Sequence, residues 1–155
     1  IASCLVGSEM CIRDRGDAGR PVPASPTALA ARVLVVDDDR DSLQALRGLL
    51  VSWGMDVRSA SGIAGALDVL QAGFRPNALV VDLRLGSQAG GIQAIEALRS
   101  SLNDAALPAL IVTGDVGGDY LSAARAAGLP VIVKPVRPSQ LRAFLGHAQA
   151  MRDPV

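Results

Sequence analysis

The sequence predicts an α/β fold in which five βα units wind into one parallel sheet with helices on both faces. Three observations point there. Short apolar runs rich in β-branched residues recur, at Val33–Val36, Ala78–Val81, Ala109–Val112 and Val131–Val133. Each ends in polar or turn residues, which is how strands buried on both faces read. Segments of helical length, with apolar residues along one face, lie between these runs. Strands and helices alternate from Arg32 onward, an order that requires right-handed crossovers and a parallel sheet.

The bulk properties agree with a single domain. At 155 residues the chain is long enough for one domain with a real core and too short for two comfortable domains. Half of its residues are apolar and only 3% are aromatic, so Val, Leu, Ile and Ala must build that core. The formal charge is zero and Lys and Arg are scattered, leaving no electrostatic footprint for nucleic acid or an anionic membrane. No apolar run approaches the roughly 18 residues that span a bilayer. Cys4 and Cys11 lie outside every periodic segment and suggest neither a disulfide framework nor a metal site. A reducing, cytoplasmic setting is the expectation.

Residues 1–31 read as a disordered leader or linker. The chain begins at Ile1 rather than Met, and residues 1–15 resemble translated adapter read-through more than a natural segment. Gly16–Ala31 has the Gly, Pro, Ala and Ser content of an interdomain linker. The folded unit is expected over 32–151, with 152–155 a tail. Within it, Arg32–Asp37 is the first strand. Asp39 or Asp41 can cap a helix to about Trp53, with Leu43, Leu46, Leu49 and Leu50 on one face and Gly54 as its stop. Asp56–Ala60 is a short strand near the sheet edge. Ser61 is expected to cap a helix ended by Gly73, and Asn77–Asp82 is the third strand. A glycine-containing loop leads to a helix over Gly91–Ser101 that turns Ile92, Ile95 and Leu98 inward. Ala109–Thr113, a short helix over Asp119–Ala127, Val131–Lys134 and a helix from Ser139 to about Met151 complete the domain.

Five polar residues then stand at carboxyl ends of strands: Asp37, Asp38, Asp82, Thr113 and Lys134. Parallel strands bring those ends to one edge, where open sheets bind ligands. Two carboxylates about 5 Å apart repel by roughly 3 kcal/mol at an effective dielectric near 20, so three need compensation. Lys134 supplies one charge, and a hard divalent cation such as Mg²⁺, which takes carboxylate, water and phosphate oxygens, would supply the rest. A carboxylate, a metal, a lysine and a hydroxyl donor are the parts of in-line phosphoryl transfer to aspartate, with Asp82 as acceptor. Taken singly, each residue has a plainer reading. Asp39 and Asp41 suit helix caps, and Thr113 alone could be an ordinary strand residue. His147 reads as a solvated helix residue and Trp53 as packing. The conjunction is what points to chemistry.

With D-D, D, T and K-P in sequential βα order, the region from Arg32 to Met151 resembles the receiver domain of bacterial two-component signalling. That resemblance implies a flavodoxin-like doubly wound (βα)5 fold with strand order 2-1-3-4-5. It implies that Asp82 accepts phosphate from a phosphohistidine of a histidine kinase, in cis or in trans. Asp38 and Asp82 would ligate Mg²⁺, Asp37 mainly through a water, and the backbone carbonyl of Arg84 would be a further ligand. Lys134 would pair with the phosphoryl group, Thr113 would swing onto it, and the Lys134–Pro135 bond would be cis. Trp53-Gly54, D-L-R-L-G, T-G-D and K-P-V-R-P-S-Q-L-R look most like receivers fused behind a histidine kinase core. A histidine phosphotransfer protein is then an expected partner, and a homodimer is compatible. Such a domain dephosphorylates itself weakly and is not a dedicated enzyme.

Two positions depart from the family pattern. Val131 stands where an aromatic often tracks the threonine, and the loop after Asp82 lacks the familiar Met-Pro. Two alternatives stand beside this reading. One is a haloacid-dehalogenase-like phosphatase, whose nucleophile motif Asp37-x-Asp39 resembles and whose later acidic motif Gly114-Asp115 with Asp119 imitates. Against it, Lys134 follows that motif instead of preceding it, and there is little room for a substrate cap. The other is a receiver-like module that signals by protein contact without phosphorylation, against which the complete acidic set argues.

Overall fold

The computed structural model describes residues 31–86 and 90–152; of the expected leader over 1–31, residues 1–30 with both cysteines lie outside the described residues, as do 153–155 of the expected tail. The elements are β1 (Arg32–Val36), α1 (Arg40–Ser52), β2 (Asp56–Ala60), α2 (Ile63–Gln71), β3 (Ala78–Asp82), α3 (Gly90–Leu102), β4 (Ala109–Thr113), α4 (Asp119–Ala126), β5 (Val131–Val133) and α5 (Pro138–Arg152). Every strand pairing is parallel, and the order is β2-β1-β3-β4-β5, the flavodoxin-like arrangement expected. The order reverses at β1, so the crevice beyond the ends of β1 and β3 is the topological switch point.

Strand alternation builds two aliphatic cores. Val33, Val35, Ala78 and Val80 face α1 and α5, packing with Leu46, Leu50, Leu141 and Leu145. Leu34, Val36, Leu79 and Val81 face the other way, onto Ala66, Leu70, Ile95 and Leu98. Burying each such Val, Leu or Ile contributes roughly 1.5–3 kcal/mol before chain entropy is counted. Trp53 packs at the margin of the first core, with the Arg142 guanidinium 4.6 Å from its ring centroid. His147 is exposed. Ala31 is buried and Arg152 pairs with Asp104 at 2.7 Å, so the packed unit takes in one residue beyond each expected bound.

Helix ends follow local chemistry, with one correction to an expected cap and one to an expected helix start. Asp39 is the cap of α1, accepting from the backbone N–H of Asp41 and Ser42 at 3.4 and 3.2 Å. Gly54 ends that helix at φ +82°, a conformation costly for any side chain. Ser61 does not cap α2. Gly62 occupies the cap position in a fully extended conformation, which leaves Ser61 one residue too early to reach a free N–H. The last helix starts at Pro138 instead of Ser139, because proline lacks the N–H that the first helical position does not need.

Candidate functional site

Sheet register brings the polar residues together. Asp82 is the last residue of β3 and pairs with Val112, one residue before Thr113. Thr113 pairs with Val133, and the N–H of Lys134 donates to the Thr113 carbonyl at 2.7 Å, carrying the ladder onto the lysine. On the other flank, the Asp37 N–H donates to the Ala60 carbonyl at 3.1 Å. Among the described residues, the buried polar side chains are Asp37, Asp82 and Thr113, all at this edge. Carboxylates are rarely buried unless paired, and here the partner is Lys134. Its Nζ lies 3.0 Å from Asp37 Oδ2 and 3.5 Å from Asp82 Oδ1.

The remaining contacts divide the acids by task. Each Asp37 carboxylate oxygen has a partner, since its Oδ1 also accepts from the Asp39 N–H at 2.9 Å. Asp38 is exposed and accepts from the Gly86 N–H at 3.3 Å, tying the β1 end to the loop after Asp82. Asp82 lines an open pocket of about 330 Å³ with Arg84, Thr113, Gly114, Asp115 and Lys134. Thr113 Oγ1 accepts from the Asp115 N–H at 3.1 Å and donates to the Asp115 carbonyl at 3.3 Å. Arg84 and Asp115 form an exposed 2.5 Å ion pair at the rim of that pocket. The Lys134–Pro135 peptide is cis.

Electrostatics follow from this crowding. Burial pushes the Asp82 carboxyl above its ordinary value, and the charges of Asp37 and Asp38 add to that against the pull of Lys134. Burial opposes charge on Lys134, but its hydrogen bond to Asp37 and the charges of Asp82 and Asp37 outweigh it, so its ammonium is held above the usual lysine value. Three carboxylates against one ammonium leave a surplus of two negative charges. One oxygen from each of Asp37, Asp38 and Asp82 lies within 4.8 Å of the others. Oxygens this close could share one hard cation, directly or through a bound water. An all-oxygen set with that charge fits a hard divalent cation and suits a soft one poorly.

The site residues named from sequence thus line one edge, with Arg84 contributing its side chain to the pocket rim. Two contributors went unread. Ser42, in the first turn of α1, accepts a hydrogen bond from Lys134 Nζ at 3.2 Å, and nothing in the sequence marks it beyond its place four residues after Asp38. Gly91 reads in sequence only as the point where a helix begins. A Cβ there would overlap the Asp82 carbonyl oxygen and lie 2.8 Å from Leu83 Cα, so α3 presses directly on the backbone that carries Asp82. The signal for it was the Gly90-Gly91 pair at a helix start, where a cap residue would be usual.

A family model described as response regulator receiver domain matches residues 33–145. Response regulator MprA of Mycobacterium bovis is 39% identical over 85 residues, 55% of this chain and 35% of that protein. A response regulator receiver protein of Anaeromyxobacter is 37% identical over 106 residues, 68% of this chain and 43% of that one. The chain therefore spans well under half the length of these curated relatives. The crystal structure of a sensor protein from Polaromonas superposes with a TM-score of 0.67 at 26% identity, covering 79% of this chain and 98% of that one.

Proposed function

The chain belongs to the response regulator receiver domain family, and from that premise we propose that Asp82 accepts a phosphoryl group from the phosphohistidine of a histidine kinase. The observation that carries the reading is the meeting of Asp82 with two further acids and Lys134 beside an open pocket. An Asp82 carboxylate oxygen attacks phosphorus, forming the acyl phosphate. The P–N bond breaks, and the imidazole nitrogen leaves with its electron pair. Asp37, Asp38, Asp82 and the Arg84 backbone carbonyl would hold Mg²⁺, Asp37 through a water. When bound, the ion screens carboxylate and phosphoryl charge and orients the phosphoryl oxygens.

The chain's own residues do the rest. Lys134, already 3.5 Å from Asp82 Oδ1, pairs with the incoming phosphoryl oxygens. Thr113 gives up the Asp115 carbonyl and donates its hydroxyl to the phosphoryl group. Because Thr113 Oγ1 also anchors the Asp115 N–H, that turn alters the β4–α4 loop and the surface of α4 and β5. Phosphate can shift such an equilibrium only by its differential interaction with the two states, a few kcal/mol. Asp37, nucleophile of the phosphatase alternative, is buried and doubly bonded, which favours Asp82, the acid that lines the pocket.

The likeness to the Polaromonas sensor protein and the D-L-R-L-G and K-P-V-R-P-S-Q-L-R stretches support a receiver working within or beside a sensor kinase, in the cytoplasm. A histidine phosphotransfer protein would be the onward partner. Among the described residues no helix is long and apolar enough to cross a membrane. The test is transfer from a radiolabelled histidine kinase core with Mg²⁺. Base-labile label is expected on the wild type and absent from Asp82→Asn; equal labelling of both would overturn the assignment.

A further inference from the structure

We infer that Ser42 is a positioning residue for Lys134, its hydroxyl holding the lysine ammonium in the orientation that faces Asp82. The inference rests on the reading of Asp82 as phosphoryl acceptor. An ammonium carries three N–H donors and no acceptor. Two are committed here, to Asp37 Oδ2 at 3.0 Å and to Ser42 Oγ at 3.2 Å. The third remains for Asp82 Oδ1, which lies 3.5 Å away. Asp37 alone could not fix that direction, because an ammonium is a compact point charge on a flexible stem.

Ser42 is well anchored for the task. It sits in the first turn of α1, and its N–H donates to the capping carboxylate of Asp39 at 3.2 Å. Lys134 also lines a groove of about 310 Å³ together with Ser42, Ala45, Leu46, Leu49, Pro135 and Val136. That groove gives the lysine stem room to relax. Among the described residues, Ser42 is the one polar side chain lining it besides the lysine itself. A neutral acceptor also suits the chemistry. A carboxylate at 42 would compete with the phosphoryl group for the ammonium, and an apolar side chain would release it. With Asp37 and Ser42 both holding, the third N–H meets the incoming phosphoryl oxygens without a rearrangement of the lysine.

The test compares wild type, Ser42→Ala and Ser42→Thr in two measurements, after thermal melts establish that all three fold. The first is the rate of Asp82 phosphorylation by acetyl phosphate with Mg²⁺. Ser42→Ala is expected to be slower by about tenfold, the size of one hydrogen bond to a charged group, and Ser42→Thr to recover most of the rate. The second is the ¹⁵N ammonium signal of Lys134, expected to exchange slowly with water in wild type and Ser42→Thr and to broaden in Ser42→Ala. An unchanged rate in Ser42→Ala overturns the inference whatever the signal does, and so does equal impairment of both variants. A wild type that takes up no phosphate overturns the reading of Asp82 and with it the catalytic meaning of Ser42. The ammonium signal then still reports whether the contact exists.

Discussion

Replacing Asp82 with Asn removes one of three crowded charges while keeping the side chain's shape. The oxygens of Asp37, Asp38 and Asp82 come within 4.8 Å of one another. At an effective dielectric near 20 each such pair repels by at least about 3.5 kcal/mol. Asp82 takes part in two of these pairs, against one attraction to Lys134 at 3.5 Å of about 5 kcal/mol on the same scale. The charge on Asp82 therefore destabilises the metal-free fold by on the order of 2 kcal/mol, and burial adds to this. The direction agrees with its carboxyl, which burial and the neighbouring acids raise above the ordinary value of 3.8. A raised carboxyl means that the folded chain binds more protons than the unfolded chain between that value and its own folded one. Stability of the metal-free wild type thus falls as pH rises through that window and is recovered as pH falls.

The assay is thermal unfolding in EDTA and then in Mg²⁺ across that pH range. Near neutral pH in EDTA, Asp82→Asn is expected to melt higher than wild type by roughly 5–10 °C, the equivalent of about 2 kcal/mol in a domain of this size. The gap should narrow towards acid. Mg²⁺ should raise the wild type more than the variant, since only ions that bind the folded state stabilise it. A variant less stable than wild type in EDTA, or an equal response of both to Mg²⁺, would refute the reasoning.

Other substitutions probe the supports of the site. Gly91→Ala forces a Cβ into the backbone of Asp82 and Leu83, where no flexible tip can yield, and urea unfolding should show a loss of about 2–3 kcal/mol. Gly48→Ala, in α1 with nothing within 4 Å of the new carbon, should instead gain up to about 1 kcal/mol; similar effects at the two positions would discredit the close-approach account. Lys134→Met strips the cation from buried Asp37 and should cost about 3 kcal/mol in EDTA, partly restored by Mg²⁺. Arg84→Ala breaks an exposed pair and should cost under about 1 kcal/mol. It should nevertheless speed hydrolysis of the acyl phosphate by opening the pocket rim, read as phosphate release from labelled protein; an unchanged lifetime would show that the pair does not screen the pocket.

Much of this was legible in the sequence because the signals are local and the topology then does the assembling. The run Ala78–Val81 could only be a doubly buried strand, and once β1, β3, β4 and β5 are parallel, Asp37, Asp82, Thr113 and Lys134 must share an edge. What stayed hidden depends on distances between remote segments or on one residue's backbone angles. Arg84 and Asp115 meet across 31 residues, and Ser42 meets Lys134 across 92; neither pair has a period to betray it. Ser61 failed as a cap because Gly62 is fully extended, a conformation that composition does not reveal. Gly91 reads in sequence only as the start of a helix, whereas its need is the absence of a Cβ against Asp82.

The most direct test of the acceptor assignment is to trap the phosphorylated chain with borohydride, which reduces an acyl phosphate to the alcohol, and to locate the modified residue by peptide mass spectrometry. Reduction at Asp82 alone is the expected result. Reduction at Asp37, or at no aspartate after demonstrated phosphoryl uptake, would contradict it.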